Sequence, residues 1–213
     1  MTKAKAKKTS KKKLTGTTFV VSAPSGAGKS TLCSRLMSKM PNLKLSVSYT
    51  TRPPRKGEKQ DVHYSFVTEK KFMNLIAKGE FAEWAMVHGN LYGTSLKRIR
   101  KLNRDGYDII LDVDVRGAQQ LRSTCNEAVY IFILPPSLRT LKKRLKDRST
   151  DSRETITQRM KNAGGEIAHY REYDYVVVND NIDQALKDLE SIISSTKLRT
   201  ERADHGWIKS ITK

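Results

Sequence analysis

The run Ala23-Pro24-Ser25-Gly26-Ala27-Gly28-Lys29-Ser30-Thr31 carries the first recognisable chemistry in this sequence. Gly26 and Gly28 let backbone amides turn inward around an anion, and Lys29 adds a positive point charge. The hydroxyl of Ser30 suits a divalent cation. The run fits the pattern G-x-x-x-x-G-K-[ST] except at its first position, where Ala23 stands for glycine. As a phosphate-binding loop, Ser25, Gly26, Ala27, Gly28, Lys29, Ser30 and Thr31 would wrap the phosphates of ATP or GTP. Lys29 would reach the β- and γ-phosphates, and Ser30 would ligate Mg²⁺.

A second group of residues lies downstream. Ser46-Val47-Ser48-Tyr49-Thr50-Thr51-Arg52-Pro53-Pro54-Arg55-Lys56-Gly57-Glu58 leads into Val62-His63-Tyr64-Ser65-Phe66-Val67, then Phe81-Ala82-Glu83-Trp84-Ala85 and Tyr92-Gly93-Thr94-Ser95. Two prolines between Arg52 and Arg55 stiffen the loop and lower the entropy lost when both guanidinia converge. Two guanidinium forks with tyrosine hydroxyls nearby form a second phosphate clamp. Asp112-Val113-Asp114 follows an apolar strand, at the end of a parallel strand where ligands bind in such sheets. Asp112 is the candidate for holding Mg²⁺ through water.

The elements that must position these groups alternate along the chain. Thr18 to Val21, Tyr107 to Leu111, Val129 to Leu134 and Tyr175 to Val178 read as short apolar strands. Helical patterns fit 30–40, 95–103, 115–122, 137–147, 152–169 and 182–198. Apolar strands alternating with helices argue an α/β fold with a parallel sheet covered on both faces. Between Pro41 and Ser95 the pattern changes, with strands expected at 45–48, 62–67 and 81–87 and a helix at 69–78. The organisation read from this is a basic tail over 1–15, a core over 16–45 and 96–198, an inserted mixed α+β lobe over 46–95, and an extension over 199–213. No internal repeat is present.

Composition narrows the class. The charge of +19 includes seven lysines within the first thirteen residues, leaving the body near +12. Such a balance suits a nucleic-acid binder, but equally an enzyme with two polyanionic substrates. The tail has few apolar anchors and reads as disordered, a weak contact for nucleic acid or anionic surfaces. No apolar run approaches the roughly 20 residues of a membrane-spanning helix. Lysines at the N-terminus have no apolar segment behind them, so a secretory signal is not expected. Cys33 and Cys125 stand far apart and fit unpaired thiols in a reducing, cytoplasmic setting.

From about Thr18 to Leu198 the chain resembles a guanylate kinase, with the motifs quoted above in the family's order. The resemblance implies a P-loop NTPase-type core, a GMP-binding lobe and a helical lid over about 139–160. It implies transfer of the γ-phosphoryl group of ATP to GMP with Mg²⁺, directly and in line. Arg52, Arg55, Tyr64 and Tyr92 then hold the GMP phosphate, and Ser48, Glu83 and Thr94 face guanine, with Asp114 near the acceptor base. Guanine offers N1–H and the N2 amino group side by side, which one carboxylate can accept together. Arg144, Arg148 and Arg159 are assigned to the phosphates and Asn179 to the adenine ring, while Arg139 and Arg153 read as solvated helix charges. Two positions depart from the family: Thr94 stands where serine is common, and Asp61 where glycine is common in the turn before Tyr64. Rival readings are an inactive guanylate-kinase-like binding module and a basic nucleic-acid-binding protein. The first fits poorly with Gly28, Lys29, Ser30 and the arginines; the second leaves the lobe residues unexplained.

Overall fold

A computed structural model describes residues 15–87, 89–147 and 152–212. All but the last residue of the expected tail, and Arg148 of the expected lid, lie outside the described residues. The chain begins with β1 (Thr18–Ser22), α1 (Lys29–Lys39) and β2 (Leu43–Leu45). It then forms β3 (Tyr49–Thr50), β4 (Ser65–Phe66), α2 (Glu69–Ala77), β5 (Phe81–Val87) and β6 (Asn90–Ser95). Next come α3 (Leu96–Arg104), β7 (Asp108–Asp112), α4 (Val115–Thr124) and β8 (Val129–Leu134). The remainder is α5 (Leu138–Asp147), α6 (Arg153–Ala168), β9 (Tyr175–Val178), α7 (Ile182–Thr196) and a short α8 (His205–Ile211).

The first sheet is parallel throughout, in the order β2-β7-β1-β8-β9. Its inner strands β7, β1 and β8 are largely apolar and buried because helices cover both faces, whereas Val176 and Val178 of the edge strand β9 are exposed. Phe19 and Val21 of β1 point to one face, where Ile110, Ile131 and Ile133 join Leu32 and Leu36 of α1 and Leu189 of α7. Val20 points to the other, against Ile109, Leu111, Ile99 of α3 and Leu121 of α4. This is the parallel α/β core expected from the alternation of elements, and it accords with the P-loop NTPase-type core that the resemblance implies.

The second sheet is mixed, in the order β4-β3-β6-β5. β3 pairs parallel with β4 and antiparallel with β6, which also pairs antiparallel with β5. Phe72 of α2 stacks on Phe81 at 4.5 Å between ring centroids, with Leu91 and Tyr49 beside them. Gly93 belongs here because a Cβ would come within 3.0 Å of both Phe72 and Phe81. A third cluster, Leu141 and Leu145 of α5 with Ala163 of α6, packs those two helices together.

Three local expectations differ from the structure. The strand expected at 45–48 is instead the end of β2 and a crossing segment, since Ser46 N–H still donates to Ile110 O before the chain leaves for the second sheet. The alternation over 62–67 yields only Ser65–Phe66, because residues 61–63 form a turn in which Asp61 has φ 57 and the N–H groups of Val62 and His63 donate to Lys59 O. Tyr92 to Ser95, quoted only as a motif, lies in β6.

Gly16 sits where the chain enters β1, its N–H donating to Asn103 O at 2.9 Å. A Cβ there would lie 1.6 Å from Tyr107 O, a backbone atom that cannot yield cheaply. Gly16→Ala is expected to lower unfolding free energy by about 2–4 kcal/mol, read from urea denaturation midpoints at unchanged m-value. A loss below about 0.5 kcal/mol would show that β1 enters the sheet by another path.

Candidate active site

The loop between β1 and α1 is shaped by two residues that only glycine tolerates well. Gly26 has φ 94 and Gly28 has φ 96. Ala23, in place of the pattern's first glycine, does not have a positive φ and is buried, so its methyl costs the loop nothing. α1 starts at Lys29, with its unpaired N–H groups and positive dipole end at the loop. The outward carbonyl of Ala27 is held twice, by Asn179 Nδ2 at 2.8 Å and Arg144 Nη1 at 3.3 Å. Arg144 also donates to Asn179 O at 2.9 Å. Asn179 leaves no space at Gly28, where a Cβ would lie 2.4 Å from Nδ2. Asn179, assigned by resemblance to the adenine ring, is thus buried as a prop of the phosphate loop.

The end of β7 faces this loop. Lys29 Nζ lies 2.5 Å from Asp112 Oδ1 and also donates to Val113 O, and Ser30 Oγ donates to Asp112 Oδ2 at 3.2 Å. One hydroxyl and one carboxylate side by side form a small oxygen donor set next to the loop. Asp114 caps α4, accepting Gly117 N–H at 2.7 Å. Glu166 of α6 was not singled out in the sequence. Its Oε2 accepts Ser25 N–H at 3.4 Å, and burial raises its pKa.

On the second sheet, a register shift in β5 between Phe81 and Glu83 breaks the alternation and sets Glu83 opposite Thr94. Such a bulge re-aims a side chain. Glu83 is 7% exposed. Its Oε1 accepts from Thr94 Oγ1 at 2.6 Å, and Thr94 Oγ1 lies 3.3 Å from Ser48 Oγ. Burial pushes the Glu83 carboxyl up to about 7; Asp114 adds to the rise, while the Thr94 hydroxyl and Lys29 oppose it. Gly117 lets Glu83 and Asp114 share this corner, since a Cβ would lie 3.0 Å from Glu83 Oε2 and 3.3 Å from Asp114 Oδ1.

Arg52, Tyr64 and Tyr92 also come together. The Arg52 guanidinium lies 5.6 Å from the Tyr64 ring centre, and Tyr64 lies 5.8 Å from Tyr92. Glu58, quoted in the sequence run without a role, accepts from Arg52 Nη2 at 2.8 and 2.9 Å and from Arg55 N–H at 2.7 Å. The Arg52 guanidinium holds the Glu58 carboxyl well below the usual range, at about 2. Arg52 thus carries a carboxylate where the sequence reading has it bind phosphate, and Arg55 is exposed on the same loop. Arg159 is half-buried on α6, and Thr31 is exposed on α1. Arg98, unremarked in the sequence, bonds to Val47 O, Ser65 Oγ and Asp61 Oδ1.

Comparison with known proteins agrees over most of the chain. The family model described as guanylate kinase matches residues 15–196. A guanylate kinase of Geobacter metallireducens is 48% identical over 187 residues, covering 88% of this chain and 92% of that protein. One of Shewanella violacea is 52% identical over 184 residues, covering 86% and 89%. Among solved structures, a guanylate kinase from Anaplasma phagocytophilum superposes with a TM-score of 0.73 at 34% identity, covering 92% of this chain and 94% of that one.

The Glu83 environment has a measurable consequence. Between the ordinary carboxyl value of 4.5 and about 7, the unfolded chain has released a proton that folded Glu83 keeps. Stability therefore falls as pH rises through that window. Glu83→Gln cannot ionise, so from pH 5 to 8 the wild-type protein should lose on the order of 2 kcal/mol relative to the variant in chemical denaturation. Parallel profiles would mean that Glu83 is already ionised when folded.

Proposed function

The chain belongs to the guanylate kinase family, and we infer from its site how it transfers the γ-phosphoryl group of ATP to GMP, yielding ADP and GDP. The observation that carries the reading is Glu83: a buried carboxylate bonded to Thr94, with Ser48 adjoining, on the same lobe as Arg52, Tyr64 and Tyr92. A buried acceptor pair of this kind matches the two donors on one edge of guanine. Adenine has an acceptor at N1 and no 2-amino group, which would leave Glu83 desolvated and badly paired. Asp114, across Gly117, completes the acceptor corner.

The acceptor phosphate is held by Arg52 and Arg55 with the hydroxyls of Tyr64 and Tyr92. Arg52 exchanges the Glu58 carboxylate for phosphate, so its charge stays paired before and after binding. The donor phosphates lie on the amides of Ser25 to Thr31 at the start of α1, with Lys29 moving from Asp112 to the β- and γ-oxygens. Asn179 acts from behind, by fixing the loop. Arg144, Arg148 and Arg159, on or between α5 and α6, supply positive charge to the transferring group as a lid over about 139–160 closes and excludes water. Transfer is direct and in line, driven by positioning and electrostatics.

Mg²⁺ is the cofactor in this reading. Ser30 and Asp112 fit it, because Mg²⁺ takes few protein ligands and keeps waters and phosphate oxygens. Ser30 would hold it directly and Asp112 through water; when bound it neutralises charge on the β- and γ-phosphates. The functional units follow: core 16–45 and 96–198, acceptor lobe 46–95, and extension 199–213. Among the described residues no helix is long and apolar enough to cross a membrane, and a cytoplasmic setting accords with the substrates. The lysine-rich tail remains a candidate for weak contact with nucleic acid or anionic surfaces.

Two measurements test this. ADP release from ATP and Mg²⁺ should be strong with GMP and near background with AMP, CMP and UMP. Glu83→Ala should cut kcat/KM for GMP about a hundredfold or more. Turnover on none of the acceptors would overturn the kinase reading in favour of a binding module. Separately, Lys29→Met should lower kcat by about 10²–10³ with the GMP KM little changed. An unaltered kcat would remove Lys29 from the donor phosphates.

A further inference from the structure

Asp61 is the one non-glycine residue with a positive φ among those described, at 57. An aspartate there carries backbone strain that glycine would not, and such strain persists where the surroundings over-determine it. Its carboxylate is met locally by Ser65 Oγ and by Gln60 Nε2 at 3.3 Å, and by one guanidinium from another layer of the protein. Arg98 Nη2 donates to Asp61 Oδ1 at 3.0 Å, and Nη1 donates to Val47 O at 2.8 Å and to Ser65 Oγ at 2.7 Å. Ser65 Oγ donates in turn to Asp61 Oδ1. The Arg98 guanidinium also lies over the Tyr49 ring, 4.5 Å from its centre.

These contacts bracket Tyr64. Asp61 and Ser65 flank it in sequence, and Asp61 N–H closes the turn by donating to Tyr64 O at 2.8 Å. Val47 and Tyr49 lie on either side of Ser48. Arg98 itself sits on α3, next to buried Ile99, which packs against the first sheet. One side chain thus links the core to the two lobe segments that carry Ser48 and Tyr64.

We propose that Asp61 and Arg98 are positioning residues for the acceptor site, holding the Tyr64 turn and the segment around Ser48 in place against the core. Neither touches the reacting groups. The inference rests on the GMP reading above, and it names residues outside those assigned to substrate. The side chain of Asp61 is 57% exposed and that of Arg98 30% exposed, so the pair adds little to global stability. Its effect is geometric. A planar fork reaching three acceptors at once fixes an angle that a flexible ammonium cannot. Asp61 also keeps a full negative charge for this purpose, since the Ser65 hydroxyl and Arg98 both lower its pKa.

The test compares wild type, Asp61→Gly, Arg98→Met, Arg98→Lys and the Asp61→Gly/Arg98→Met double variant. GMP KM, ATP KM, kcat and Tm are measured for each. Asp61→Gly removes the carboxylate and relieves the strain, so its Tm should hold or rise while its GMP KM increases about fivefold or more. Arg98→Met, which keeps an unbranched stem over Tyr49, should raise GMP KM similarly with ATP KM within about twofold. The double variant should be no worse than the poorer single variant, because the two act through one contact. Arg98→Lys should recover only part of the loss. An unchanged GMP KM in Asp61→Gly, additive effects, or GMP KM, ATP KM and Tm moving together would overturn the proposal. Wild-type protein that neither binds GMP in calorimetry nor phosphorylates it would instead overturn the acceptor assignment, and this inference with it.

Discussion

The carbonyl of Ala27 is the point on which the phosphate site depends. A loop that turns its amides inward must aim carbonyls outward, and a buried carbonyl without a donor is costly. Ala27 is buried, and its oxygen is met by Asn179 after β9 and Arg144 on α5. Gly28 is the consequence: with Asn179 so close, any Cβ would collide. The loop is therefore a joint of three distant pieces of chain. Its shape is set before any anion arrives, which lets binding energy go into phosphate contacts rather than ordering the loop.

The same economy governs the acceptor lobe by a different device. With strict alternation along β5, Glu83 would share the face of Phe81, which packs on Phe72. The irregularity after Phe81 turns it to the opposite face instead, against Thr94. Burying a carboxylate raises its pKa and leaves it poorly satisfied, so it gains most from a ligand that brings two donors. In the proposed function, base discrimination then follows from what the site lacks when the wrong base is present. Glycines 93 and 117 serve this arrangement by absence, one admitting Phe72 and Phe81 and the other admitting two carboxylates.

Three cations near the site rest on carboxylates among the described residues. Lys29 rests on Asp112, Arg52 on Glu58 and Arg98 on Asp61. Each carboxylate preorients its partner, and in the proposed function phosphate takes the place of the carboxylate at Lys29 and Arg52 but not at Arg98. The positive excess of the chain thus coexists with a site of closely matched pairs, and net charge alone says little about either.

Much of the core was legible locally. Val129 to Leu134 is a strand because an unbroken apolar run of that length can be buried on both faces of a parallel sheet, and Tyr175 to Val178 pairs beside it at the edge, with Val177 buried and Val176 and Val178 exposed. Ser25 to Thr31 announce a loop because glycine spacing is itself a backbone statement. Arg52, Tyr64 and Tyr92, and likewise Ser48, Glu83 and Thr94, were named from motifs, and tertiary contact gathers each trio. What the sequence could not carry was set by partners far along the chain. Asn179 props the loop because its Nδ2 donates to a carbonyl 152 residues earlier. β6 went unrecognised because Gly93 and polar neighbours hide a strand whose identity comes from β3 and β5. The turn at Asp61, which cut short the expected strand, is held by Arg98 from another layer. Periodicity records which face of an element is buried; it does not record which distant side chain completes a hydrogen bond, and at this site those distant bonds decide where each functional group stands.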